Sequence, residues 1–222
     1  MGGLIPLTDA SRRPVHVAIV TILLIVTNVL VFVQELIHGD AFVTQWSAIP
    51  ANILAGHGWI TIFTAMFMHG GWMHIIGNMI FLWAFGPVME DAMGPLRYLT
   101  FYLVGGVVAM LAQVFANPSS TIPNLGASGA IAAVMGAFLV TYPRDRIKAI
   151  LIIFIFIDVT LIPAALLIGF WFLMQLFSVG SVATVQTGGV AYVAHVGGFI
   201  FGAATARLFE NRARIARQSY GG

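Results

Sequence analysis

Residues 117–148 read NPSSTIPNLGASGAIAAVMGAFLVTYPRDRIK, and the apolar run inside them is too short for a simple membrane crossing. Ala127 to Tyr142 would form about 24 Å of helix at a rise of roughly 1.5 Å per residue, against a hydrocarbon thickness of about 30 Å. Pro143 and the cluster Arg144, Arg146 and Lys148 hold one end at a water-facing surface. The other end must then start below the opposite surface, and the loop Asn117–Gly126 must dip inward to meet it. Non-helical backbone at that depth is tolerated only where it is buried in protein or lines a wet cavity. The stretch therefore predicts a water-filled recess with Ser128 at its floor.

Five more apolar runs lie around this one, near Val17–Val33, Ile62–Phe85, Leu99–Ala116, Ile150–Phe177 and Val190–Leu208. Of the 222 residues, 59% are hydrophobic and 8% are charged, where a soluble domain carries about 25% charge. Such a chain cannot clothe a water-facing surface, so the expected class is an all-α membrane protein, a bundle of six transmembrane helices. The fifth run is long and contains Asp158 and Pro163. Its first turns are expected at the interface, with the span starting near Leu161. The domain reading is a tail over 1–16, one membrane domain over 17–208 and a basic tail over 209–222. The N-terminus lacks a small-residue cleavage site, so a retained first helix is expected rather than a cleaved signal. Ten basic residues against eight acidic ones, with no long basic run, give no footprint for nucleic acid. With no cysteine, disulfides and Cys-based metal sites are excluded.

Arg12 and Arg13 precede the first run, Arg97 follows the second, Arg144, Arg146 and Lys148 follow the fourth, and Arg207, Arg212, Arg214 and Arg217 follow the sixth. If all six runs span, every basic residue falls on one side. Basic residues near span ends stay in the cytoplasm, so both termini are expected there. His38–Trp59, Asn117–Leu125 and Ser178–Gly189 are expected outside, in a cell (plasma or inner) membrane, with the recess open to the extracytoplasmic side.

Polar side chains within spans are costly and usually functional. His69, His74 and Asn78 in the second run, Ser128 in the fourth and His195 in the sixth all fall in the outer half of their runs. Ser128 opens a helix, where unpaired N–H groups and the helix dipole favour an oxyanion; the plain alternative is a helix cap. The nucleophile elbow of soluble hydrolases does not fit, because it needs a glycine where this chain has Ala130 and a preceding strand. A histidine base must come within about 3 Å of the serine oxygen. Ser128, Ala132 and Gly136 share one helix face, and His195, Gly198 and Gly202 share another, so small residues allow close approach. His74 and Asn78, four apart on one face, can both donate to an oxyanion; the alternatives are a polar interhelical contact or a metal site, for which the histidines supply no clear further ligands. His69 reads as structural. No acid is placed beside His195, so a Ser128–His195 dyad is expected, with no metal and no cofactor.

His69-Gly70-Gly71-Trp72-Met73-His74 followed by Asn78, Gly86-x-x-x-Glu90-x-x-x-Gly94-x-x-Arg97, Gly126-Ala127-Ser128-Gly129, and Ala194-His195-x-x-Gly198-x-x-x-Gly202 resemble the motifs of the rhomboid family of intramembrane serine proteases. The resemblance covers about Phe63 to Gly202. It implies a six-helix core with cytoplasmic termini, Ser128 as nucleophile, His195 as base, and oxyanion binding by His74, Asn78 and the Ser128 backbone N–H. Gly126, Gly129, Gly198 and Gly202 would be structural residues near the site. It further implies single-pass transmembrane protein substrates cut within the lipid bilayer near the outer face. Helix five around Phe170–Phe177 and the loop Ser178–Gly189 look like the family's lateral gate and cap. Two positions depart from the pattern. Trp59-Ile60 stands where members often carry Trp-Arg, which changes how the outer loop is anchored. Ala132 stands where some members carry an aromatic residue that stacks on the histidine, so the imidazole must be held differently. The alternatives are a catalytically inactive relative that binds or escorts membrane proteins, or a transporter, which would show paired broken helices that are not evident here.

Overall fold

The computed structural model describes residues 2–153, 156–182 and 191–220. The chain runs through strands β1 (Gly2–Asp9) and β2 (Arg12–Arg13) into helix α1 (Ile19–Trp46). The short helices α2 (Pro50–Leu54) and α3 (Thr61–Thr64) follow, with a single 3₁₀ turn at Ala65–Phe67. Then come α4 (Trp72–Met93), α5 (Pro95–Ala116), α6 (Ser128–Thr141), the strands β3 (Arg146–Ile153) and β4 (Phe156–Pro163), α7 (Ala164–Val182), α8 (Tyr192–Phe209), α9 (Arg212–Arg217) and β5 (Ser219–Tyr220).

Each apolar run overlaps one of the helices α1 and α4–α8, and only α6 lies wholly within its run. Three of these, α1, α4 and α5, are long and apolar enough to cross a membrane, while α6 and α7 are apolar but shorter. Their outward side chains, among them Leu23, Leu30, Met73, Trp83, Phe170 and Leu208, are exposed. An apolar surface of this extent suits lipid and not water.

The innermost helix is α6, buried without a break from Gly129 to Phe138. It packs most extensively against α8. The glycines set that distance. A methyl group at Gly198 would strike the Gly129 carbonyl, one at Gly202 the Ala133 carbonyl, and one at Gly136 the Phe199 carbonyl. A cap from elsewhere starts α1, which has no side-chain cap of its own. The buried carboxylate of Glu90 on α4 accepts from the Val20 N–H at 2.9 Å and from the Thr21 N–H and hydroxyl at 2.8 Å. It satisfies donors that a helix start leaves open.

The expectation of an all-helical chain is corrected. β1, β3 and β4 form an antiparallel sheet in the order β1-β3-β4, and β2 pairs with β5. The fifth apolar run does not begin as helix at Ile150; its helix starts at Ala164, after a strand pair. The stretch 150–162 is rich in isoleucine, which is compatible with extended backbone, and the pairing of β3 with β1 holds it there. β3 also alternates, with Ile147 and Ala149 buried and Arg146 and Lys148 exposed, as a half-buried strand requires. Pro6 lies in edge strand β1 beside a register shift, where a missing N–H is tolerated. The segments read as tails are structured where described: β1 packs on α4, and Gln218 is buried, donating to the Val88 carbonyl at 3.0 Å.

The second run is also broken. Its helix begins at Trp72, because Gly71 at φ 151 separates it from α3 and the 3₁₀ turn. In the first run, α1 continues past Val33 to Trp46 with a non-helical residue at Gly39. Of the outer loop expected at Ser178–Gly189, residues 183–189 lie outside the described residues, and Ser178–Val182 complete α7.

Candidate active site

Ser128 is the first residue of α6, and the backbone that delivers it is held on both sides. Ala48 and Asn124 exchange backbone hydrogen bonds at 2.9 and 2.8 Å, the Ala51 N–H donates to the Ser120 carbonyl at 3.0 Å, and the Gly126 N–H donates to the Ala65 carbonyl at 2.8 Å. The Thr64 hydroxyl donates to the Trp46 carbonyl at 2.9 Å. These contacts anchor the outer loop without the Trp-Arg pair, and Trp59 is exposed. Gly126 has φ 131, in the region that favours glycine. A methyl group there would lie 2.9 Å from the His74 ring and 3.5 Å from Ser128 Oγ. Only glycine therefore lets the histidine edge and the serine hydroxyl flank the same space.

His195 sits in the first turn of α8 and is buried. Its Nε2 lies 2.7 Å from Ser128 Oγ, within hydrogen-bonding distance. Residues 67 apart in sequence thus meet because α6 and α8 cross through glycine. Its other nitrogen, Nδ1, lies 2.7 Å from Gln175 Oε1 on α7. The Trp171 ring is 5.8 Å from the imidazole at 37°, and the Tyr192 ring is 6.3 Å away, edge-on.

On α4, the Gly70 N–H donates to His74 Nδ1 at 3.3 Å, which leaves the ring proton of a neutral His74 on Nε2. One turn on, Asn78 is buried, and its Nδ2 has no hydrogen-bond partner. An unsatisfied buried donor is unfavourable by roughly 1–3 kcal/mol, so the open N–H of Asn78 calls for an explanation. His69 precedes α4, with its ring 5.1 Å from that of His74 and its own ring nitrogens unpartnered. Its backbone N–H donates to both Glu35 carboxylate oxygens at 3.0 and 3.2 Å. A small pocket beside Ser128 is lined by Met66, Gly106, Ala109, Gly129 and Ala194. Among the described residues, no three His, Cys, Asp or Glu side chains gather as metal ligands would.

The fold thus brings Ser128, His195 and His74 together around Gly126, with Asn78 one turn from His74 on the same helix. The sequence reading missed Gln175, Trp171 and Glu35. Gln175 had a signal, being a lone amide inside the apolar stretch Ala164–Phe177. Chemically, a hydroxyl bonded to an imidazole beside free N–H donors can support acyl transfer.

A family model for the Rhomboid domain matches residues 56–212. The chain belongs to the rhomboid family. This rhomboid is a membrane protein, and the relatives it resembles are named as proteases. It is 30% identical over 130 residues to the rhomboid protease GluP of Bacillus subtilis (strain 168), covering 57% of this chain and 25% of the relative. It is 33% identical over 172 residues to rhomboid-like protease 5 of Toxoplasma gondii, covering 72% of this chain and 18% of the relative. With the rhomboid protease GlpG of Salmonella choleraesuis (strain SC-B67), identity is 30% over 128 residues, covering 57% of this chain and 45% of the relative. The chain therefore spans less than half the length of each of these relatives.

Proposed function

We propose that this rhomboid is an intramembrane serine endopeptidase that cleaves single-pass transmembrane substrates with a Ser128–His195 dyad. The contact that carries this reading is the 2.7 Å approach of Ser128 Oγ to His195 Nε2. The catalytic membrane domain is residues 17–208, crossing a plasma or inner membrane six times with both termini in the cytoplasm. The short α6 starts below the outer surface, so the site opens to the extracytoplasmic side.

In this reading Ser128 Oγ bonds to the scissile carbonyl carbon while its proton passes to His195 Nε2. The oxygen that becomes negative accepts from His74 Nε2–H, an Asn78 Nδ2–H and the Ser128 backbone N–H. The C–N bond then breaks, and the imidazolium gives its proton to the leaving nitrogen. Water, deprotonated by the same Nε2, then attacks the acyl carbon; the bond to Ser128 Oγ breaks, the imidazolium returns its proton to Oγ, and the carboxylic acid product leaves. Gly126, Gly129, Gly198 and Gly202 hold the distances and take no part in the chemistry.

The test is cleavage of a single-pass substrate by purified protein in liposomes. Wild type is expected to cut, and Ser128→Ala and His195→Ala to lose the activity. Labelling of Ser128 by a fluorophosphonate is expected and would not occur in a transporter. Substrate binding with neither cleavage nor labelling would replace the protease with an inactive, escorting relative.

A further inference from the structure

We infer that Gln175 is the positioning residue of this site: its amide oxygen fixes His195 in the tautomer that leaves Nε2 open to take the Ser128 proton. This inference rests on the hydrolase reading above and deepens it, since the dyad alone does not say what orients the imidazole.

A neutral imidazole carries one N–H, and at His195 both nitrogens are engaged, Nδ1 by Gln175 Oε1 and Nε2 by Ser128 Oγ, each at 2.7 Å. An amide oxygen only accepts, so the ring proton sits on Nδ1 and the Nε2 lone pair faces the serine hydroxyl. An amide turned the other way would donate to Nδ1, put the proton on Nε2 and leave no base. The surroundings of Gln175 agree with a specific role. Its neighbours Leu173, Met174, Leu176 and Phe177 are exposed apolar side chains, and a lone amide among them is costly in lipid unless it is paired. Gln175 turns inward instead, on the same helix face as Trp171 one turn earlier, which lies over the His195 ring. Phe172 stacks on Phe199 at 4.1 Å and 19°. These contacts clamp α7 to α8 at the height of the imidazole. Ala132, one turn after Ser128, is too small to brace the ring from α6. The bracing comes from α7, and because Gln175 is neutral it orients the imidazole without adding charge.

Three forms separate orientation from mere packing. Gln175→Leu keeps the bulk and removes the acceptor. Its turnover is expected to fall about ten- to a hundredfold, the effect of one lost hydrogen bond to a group of the transition state, with KM changed less than about twofold. Gln175→Glu restores the acceptor and adds charge. It is expected to recover turnover relative to Leu while moving the acidic limb of the kcat–pH profile upward, because a carboxylate stabilises the imidazolium. Nitrogen-15 NMR of histidine-labelled protein, with His195 assigned by its loss in His195→Ala, is expected to show protonated Nδ1 in wild type and mixed tautomers in Gln175→Leu. Wild-type turnover and pH profile in Gln175→Leu, or a ring proton on Nε2 in wild type, would overturn the inference and leave the protease reading standing. Wild type with protonated Nδ1 and no cleavage would support the positioning role and remove the protease.

Discussion

Asn78 presents a buried amide nitrogen with nothing to bond. Folding alone gives no reason to keep such a donor, whereas an oxyanion that exists only during the reaction does. Asn78→Ala is therefore expected to lower turnover by about 10²- to 10³-fold, as loss of one oxyanion donor does, with little change in KM. Parallel kcat and KM measurements in liposomes check this, and wild-type turnover in the variant would remove Asn78 from the site. The same physics marks Asn78, His74, Ser128 and His195 as candidates in the sequence, because polar groups at membrane depth are expensive. Gln175 carried the same signal, yet its partner could not be read. The register of α7 depends on where its helix begins, and that depends on the strand pair β3–β4 that precedes it. Glu35 was opaque for another reason. Its bond to the His69 N–H joins segments 34 apart, and no local pattern announces a contact of that kind.

At the scale of elements, the helices could be read from apolar length, and the sheet could not. The stretch 150–162 is apolar apart from Asp158 and Thr160, and a short apolar run has no period that separates strand from helix. What decides it is the pairing of β3 with β1, from the other end of the chain. The junction of that pairing holds a titratable group outside the membrane. Burial raises the Asp9 carboxyl from its ordinary 3.8 to about 7, with Asp145 adding to the rise and the Ser11 N–H and Arg12 opposing it. A proton held on Asp9 can be shared with the neighbouring Asp145 carboxylate. A carboxyl whose folded pKa is raised stabilises the fold most below its unfolded value. That contribution is complete below about pH 4 and is lost as pH climbs through 7. Asp9→Asn keeps the shape without the ionisation. Its melting temperature at pH 8 is expected to exceed that of wild type by about 2–4 °C, the shift that roughly 1 kcal/mol produces in a domain of this size. The gap is expected to close near pH 4. Parallel pH dependence in thermal melts of the two proteins would show that Asp9 does not couple to stability.

Over the whole molecule, many of the basic residues collect at one end of the helix bundle, tied to its backbone and acids. Arg12 pairs with Asp145 at 2.5 Å and lies over the Tyr142 ring. Arg207 pairs with Glu210 at 2.9 Å and donates to the Val140 carbonyl, and Arg214 donates to the Asp91 carbonyl. The site lies toward the other end, where α6 and α8 start and α4 begins. In the protease reading proposed above, this separation would keep the charge that orients the bundle away from the site, where a substrate from lipid has to meet water. The arrangement makes orientation measurable, because the chain has no cysteine and each introduced thiol would be unique. Cysteines replacing Thr8, Phe156 or Ala216, all exposed, are expected to react with a membrane-impermeant maleimide only after cells are opened. Those replacing His57 or Ser119, also exposed, are expected to react in intact cells. All ten basic residues remain in these variants, so the charges that set the topology are undisturbed. Labelling of Ser119→Cys and Phe156→Cys from the same side would mean that α6 does not cross. A recess reached from outside and closed below by α6 would then have no place in the fold.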